Sequence, residues 1–366
     1  MADGTGLNEA AHATSMAQPR SNKLPDRPLE ITIHDLWRRM LGRPDIGVKE
    51  TFADLGGQPA QAQRMLADVE RIIRRPLPEG AWRQQLTIRN LSRAVALEAE
   101  KDGLVTCAAE GDGRPFFFCH GDYSTRGFYA LDLADRIGGR TPVYLLHPAY
   151  EPGGQVSLDE MAKGYVDEIL QLQPKGPVDV GGYCNGGTVA WAVAHQLAAR
   201  GIEVNRLVLI DTMTLNARTT FRTVARMAGD DRRVKVMSEL WWQATEYRPG
   251  PLVMAFHMVT LALGRKAPDV PQRTTRLARV EDAACYTLAP YMLPKARCHV
   301  DYVVATDSVS QPEFQARPLA KLAPSLTRHV VSGGHLTCIT THANSLAAVL
   351  RSVLEAPPPR KAAQRR

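Results

Sequence analysis

Residues 178–187 read Val-Asp-Val-Gly-Gly-Tyr-Cys-Asn-Gly-Gly, and this run restricts the architecture more than any other part of the chain. An apolar segment enters a pair of glycines, a single cysteine stands at 184, and a second pair of glycines opens an Ala-rich stretch. The pattern is glycine-x-nucleophile-x-glycine, with Cys184 where serine is usual. It requires a strand that turns into a helix almost without a loop. Side chains flanking such a bend would collide, so residue 184 projects alone. The new helix presents unpaired N–H groups and the positive end of its dipole there, which favours a thiolate and, later, an oxyanion.

The neighbouring sequence supplies the sheet that this bend needs. Apolar runs at 116–119, 143–146, 178–182, 207–210, 300–305 and 328–331 alternate with helical patterns at 125–138, 157–172, 186–200, 314–323 and 342–355. Such alternation predicts a mostly parallel sheet covered on both faces. One of the helices opens on Ser157-Leu158-Asp159-Glu160, a capping box in which Ser and Glu satisfy each other's end-of-helix donors. Between Ile210 and Val300 the texture is helical and strandless, and an insertion of that size is usually functional.

A thiol nucleophile needs a base. Ser332-Gly333-Gly334-His335 follows the last strand, where a glycine-flanked imidazole can swing over the bend at 184. Two carboxylates are placed to orient that ring: Asp211, ending the 207–210 strand, and Asp307, just past the 300–305 strand. Both lie at carboxyl ends of strands, where open α/β sheets hold their sites. The oxyanion hole is expected from the backbone N–H of Asn185 and that of Asp122, in the loop Cys119-His120-Gly121-Asp122-Tyr123. His120 reads as a loop-shaping residue rather than a second base.

Composition bounds the alternatives. A length of 366 residues suggests two domains, and 44% hydrophobic with 23% charged residues is ordinary for a soluble globular chain. Of the net charge of +7, four charges sit at Arg360, Lys361, Arg365 and Arg366 in a Pro-rich tail. A second concentration, twelve Lys/Arg against seven Asp/Glu between Thr212 and Asp282, comes with no nucleic-acid motif and reads as a solvated helical face. The six cysteines form no CxxC pair, which predicts free, mostly buried thiols, no metal site and a reducing, cytoplasmic setting. No basic segment followed by an apolar core opens the chain, and the longest apolar stretch, Pro251 to Leu263 broken by His257, is too short to span a bilayer. Neither nucleic acid nor membrane is expected as a partner.

With these residues in place, 105–355 resembles the type I thioesterase domains of nonribosomal peptide and polyketide synthetases. The resemblance rests on Phe116–Phe118 leading into His120-Gly121, the bend around Cys184, Leu209-Ile210-Asp211-Thr212, the helical insertion and Gly333-Gly334-His335. It implies an α/β-hydrolase fold with a helical lid at about 213–295. It places the acid after the strand that follows the nucleophile's helix, which favours Asp211 over Asp307. It also puts Trp241, Trp242 and Tyr183 on the substrate side.

Residues 29–98 resemble a peptidyl carrier domain, a small helical bundle, through Trp37 to Gly42, Ile46-Gly47-Val48 and Phe52 to Gly57. Where that family has His-Ser, this chain has Gln58-Pro59, and no serine occurs from Asn22 to Leu91. No phosphopantetheine can be attached there. Residues 1–28 and 356–366 are expected to be a disordered leader and a basic tail.

Together the two resemblances imply an enzyme that takes acyl, aminoacyl or peptidyl groups from carrier thioesters through acyl-Cys184. It carries no covalent cofactor of its own. The substrate arrives on the phosphopantetheine arm of a separate acyl-loaded carrier protein or synthetase, in trans. A non-catalytic docking adaptor and a general ester or amide hydrolase are the alternatives.

Overall fold

A computed structural model describes residues 24–25, 27–97, 104–121, 127–147, 157–173, 175–212, 293–311, 314, 316–323 and 325–357. Most of the expected leader, almost all of the expected lid (with Trp241 and Trp242), Asp122 and the basic tail beyond 357 lie outside these residues, while Pro28, the leader's last residue, is already helical.

Seven strands form one sheet: β1 (Val105–Ala109), β2 (Phe116–Cys119), β3 (Val143–Leu146), β4 (Val178–Tyr183), β5 (Val204–Ile210), β6 (His299–Ala305) and β7 (Leu326–Val331). Their order across the sheet is β1-β3-β2-β4-β5-β6-β7. All pairings are parallel except β1 with β3. This is an α/β-hydrolase fold. The central strands are buried along their whole length, as two-sided coverage requires. The edge strand β1 has no counterpart in the sequence expectation. It is short and bulged between Cys107 and Ala109, and Cys107 is exposed, so it lacks an apolar run. Cys107 also departs from the expected burial of the thiols, whereas Cys119 and Cys338 conform to it.

Side-chain alternation sorts the sheet into two cores. Phe116, Phe118, Val208, Ile210 and Val303 face α4 (Phe128–Ile137) and the C-terminal helix (Ala343–Glu355). Phe117, Val180, Leu207, Leu209 and Tyr302 face α5 (Leu158–Leu172) and α6 (Asn185–Ala199). Helix α5 begins with the expected capping box: Ser157 Oγ accepts the Glu160 N–H at 3.2 Å, and Glu160 accepts the Ser157 N–H at 3.0 Å. A cap of this kind is worth about 1 kcal/mol. After β6 come α7 (Ala316–Ala320) and then β7, and the C-terminal helix is α8.

The N-terminal residues form α1 (Pro28–Leu41), α2 (Pro59–Ile73) and α3 (Ile88–Leu97). Trp37, fully buried, packs edge-to-face on Phe52 at 4.9 Å. Gly42 ends α1 in the left-handed conformation (φ 64°) that its sequence predicts. Pro59 occupies the first turn of α2, where its missing N–H costs nothing, and Gln61 accepts the Gln58 N–H at 2.9 Å. These helices are tied to the sheet's α4 face. Arg74, past the end of α2, donates to the carbonyls of Ala108 (2.9 Å) and Leu131 (3.3 Å), and Thr341 donates to Asp35 at 2.8 Å.

Candidate active site

The carboxyl ends of β2, β4, β5, β6 and β7 converge on one edge of the sheet. At the end of β4 the chain turns straight into α6, and Cys184 takes φ 54°, ψ −126°. A non-glycine residue in that region carries about 1–3 kcal/mol of strain, which the surrounding contacts must hold. They do so from both sides: the Cys184 N–H donates to the Ile210 carbonyl at 3.0 Å, and its own carbonyl accepts from Gly187 at 3.1 Å. The glycines answer to close approach. A Cβ at Gly186 would overlap the carbonyl of Cys119. One at Gly121 would lie 3.0 Å from the Cys184 Cβ and 3.4 Å from the Asn185 nitrogen. Gly121, just past β2, therefore lies directly beside the nucleophile and the first amide of α6.

Asp211 follows β5 and is wholly buried, with φ 41°. Its Oδ1 accepts the Ala305 N–H at 2.9 Å, and its Oδ2 accepts the Ser308 hydroxyl at 2.8 Å. The same Oδ2 lies 2.7 Å from His335 Nδ1. An ionised carboxylate only accepts, so Nδ1 carries the hydrogen and Nε2 is left for the nucleophile. The Cys184 thiol is within hydrogen-bonding reach of that ring. Residues 184, 211 and 335, far apart in sequence, thus form one connected chain.

Asp307 is the carboxylate left out. Among the described residues its side chain is hydrogen-bonded by the Thr306 hydroxyl alone, at 3.4 Å, and its backbone N–H donates to the Gly333 carbonyl. Tyr183, expected on the substrate side, is 3% exposed, and its hydroxyl donates to the His335 carbonyl at 2.6 Å. Its ring stacks on the imidazole at 5.0 Å, and Phe314 contacts the imidazole at 5.6 Å. Tyr183 therefore braces the base. Ser308, Phe314 and the bracing role of Tyr183 were not legible beforehand: a serine one residue past a rival aspartate carries no sign that it is buried. Of the two expected oxyanion donors, Asn185 opens α6 beside Cys184, and Asp122 lies outside the described residues. Among the described residues no cluster of His, Cys, Asp or Glu is arranged to hold a metal, and no helix is long and apolar enough to cross a membrane.

Burial alone would strip the proton from His335. The negative charge of an ionised Cys184, together with hydrogen bonds to Asp211 and Cys184, reverses this and pushes the ring's pKa up to about 10. The proton affinity of the ring is therefore set by the sulfur and the carboxylate between which it lies. Removing that anion must lower the value, because burial then opposes the cation with one compensating charge fewer. In an NMR titration the His335 ring of the parent is expected to lose its proton near pH 10. In Cys184→Ala it is expected to do so at distinctly lower pH. An unchanged titration in the variant would show that the thiolate and the ring are not paired.

Residues 131–354 match the family described as the thioesterase domain. The chain belongs to the thioesterase-domain family. Among curated relatives, a dimodular nonribosomal peptide synthase of Bacillus subtilis (strain 168) is 29% identical over 209 residues, covering 56% of this chain and 9% of the synthase. The atromentin synthetase invA5 of Paxillus involutus is 28% identical over 218 residues, covering 56% of this chain and 23% of that protein. The chain thus spans less than a quarter of either relative. Among solved structures, the NocB thioesterase domain from the nocardicin cluster aligns at 22% identity and a TM-score of 0.48, over 70% of this chain and 100% of that one.

Proposed function

We propose that this thioesterase-family chain accepts acyl, aminoacyl or peptidyl groups from a carrier protein's phosphopantetheine thioester onto Cys184, and then passes them to an acceptor. The observation that carries the reading is the continuous Cys184–His335–Asp211 chain, with the ring's Nδ1 committed to a buried carboxylate at 2.7 Å. The thiolate attacks the thioester carbonyl, the carbon–sulfur bond to the arm breaks, and the imidazolium returns a proton to the departing sulfur. This step exchanges one thioester for another, so it is close to thermoneutral and reversible. Having given that proton away the ring is neutral, and with Cys184 acylated its Nε2 lone pair is free to act as the base for the incoming acceptor. Asp211 holds the ring's orientation throughout, and the backbone amide of Asn185, joined by that of Asp122, takes the oxyanion.

Incubation with acyl-loaded carrier protein should add the mass of the acyl group, and peptide mapping should place it on Cys184. Absence of an adduct across a range of acyl carriers, with Cys184→Ala behaving as the parent, would overturn the proposal.

A second reading, a docking adaptor without catalysis, draws on one observation. Pro59 stands at the start of α2 where a carrier would hold its modified serine, and α1–α3 are bonded to the sheet domain through Arg74 and Asp35. We take the N-terminal helices as a carrier-like unit that has lost its arm, fused to an active partner that draws its substrate from elsewhere. Alkylation of Cys184 at the rate of an ordinary buried thiol would favour the adaptor instead.

A further inference from the structure

Three arginines meet one carboxylate at the end of α1. Arg38, Arg39, Arg43 and Asp35 line a surface cleft of about 420 Å³, and Thr341 of the sheet domain completes its wall. The carboxylate is already engaged: Asp35 Oδ2 accepts the Thr341 hydroxyl at 2.8 Å, and Arg38 stands 3.9 Å from Oδ1. Arg43 donates to the Leu55 carbonyl at 3.4 Å. Arg39 and Arg43 are exposed, and neither pairs with a carboxylate among the described residues. Asp45 follows close behind in sequence but does not line the cleft. The cleft is thus cationic, with two guanidinium groups uncommitted to any anion.

Its borders give it a context. Leu55 lies just before Gln58-Pro59, where a carrier would hold its arm, and Gln61 in the first turn of α2 donates to the Met40 carbonyl of α1 at 3.4 Å. The arginines therefore neighbour the position that has lost its serine. On the other side, Thr341 belongs to the segment that joins His335 to α8. Tight turns hold that segment: the Cys338 N–H donates to the Gly334 carbonyl at 2.9 Å, and the His342 N–H to the Thr337 carbonyl at 2.8 Å.

Guanidinium groups match phosphate oxygens in geometry as well as in charge. A phosphopantetheine arm has its phosphate at one end and its thioester at the other, so a group that grips the phosphate stands away from the nucleophile. Resting on the reading above that substrate arrives on the arm of a separate protein, we propose that this cleft docks that arm by its phosphate, through Arg39 and Arg43 with Arg38 beside them. The N-terminal unit then still presents an arm to the sheet domain, but one received in trans rather than attached at residue 59.

The test uses two thioesters that differ only in the phosphate, S-acetyl-4′-phosphopantetheine and S-acetyl-pantetheine, with the full chain. The parent is expected to acylate Cys184 about tenfold faster, at limiting concentration, from the phosphorylated one. That preference should shrink as salt is raised, because exposed charges are screened. In the double variant Arg39→Gln, Arg43→Gln it should fall to about twofold or less. Arg39→Gln alone carries the test if the double variant does not fold. Arg93→Gln, at an exposed arginine of α3 outside the cleft, should keep the parent's preference. Binding of 4′-phosphopantetheine against pantetheine to Cys184→Ala, followed by NMR, should show the same preference and the same loss without any acyl transfer. No preference in the parent, a preference that survives in the arginine variants, or an equal loss in Arg93→Gln would overturn the proposal. Failure of both thioesters to acylate Cys184, with the binding preference intact, would remove the acyl-transfer reading and leave the docking cleft standing.

Discussion

Cys184→Ala is expected to lower turnover of a carrier-bound thioester by about 10⁴-fold or more, as loss of a covalent nucleophile does elsewhere. The residual rate comes from binding and the oxyanion site. The fold should not suffer. Alanine inherits the same φ of 54° without a bulkier side chain, and the two backbone hydrogen bonds that hold the bend do not involve the sulfur. Release of arm thiol measures the loss, and the thermal unfolding midpoint serves as the control. Cys184→Ser sharpens the argument. It keeps the attack geometry but exchanges a reversible thioester swap for a downhill step to an oxoester. Return of the acyl group to a thiol acceptor should therefore fall far more than hydrolysis. Turnover in Cys184→Ala within about tenfold of the parent would mean that the nucleophile lies elsewhere.

The parts of this fold that could be read beforehand are those that repeat a local rule. Phe116–Cys119 is buried on both faces and Val143–Leu146 nearly so, with Tyr144 half-buried, and their apolar runs matched the observed strands residue for residue. Ser157 and Glu160 declared the start of α5 through a pairing that needs only three residues of separation. Legibility stopped where a residue's meaning depends on a neighbour from another strand. Asp211 and Asp307 stand alike in sequence, each at a strand's end, and residue type and spacing do not divide them. What divides them is that Asp211 is wholly buried and shares its Oδ2 between Ser308 and His335. The resemblance put Tyr183 on the substrate side, but nothing local announced that its ring stacks on the imidazole of a residue 152 positions away.

That division between the two aspartates makes the second strong prediction. Asp211→Asn keeps the shape and tolerates the left-handed backbone at 211, since asparagine adopts positive φ more readily than most residues. Its amide oxygen can still accept the Ala305 N–H that now reaches Oδ1 at 2.9 Å. The amide nitrogen then faces His335 Nδ1, and a donor cannot receive a donor. The ring must switch its hydrogen to Nε2, where it points at Cys184 and no longer offers a lone pair to it. Loss of the carboxylate also removes one of the charges that hold the ring cationic. Turnover is expected to fall by about 10³–10⁴-fold with the fold intact, as the wrong tautomer does in related triads. Asp307→Asn, which disturbs only a 3.4 Å contact with Thr306, should remain within about twofold of the parent. Steady-state turnover of both variants on the same acyl-loaded carrier decides the matter: equal losses, or a larger loss at 307, would show that the orienting acid is not the buried one.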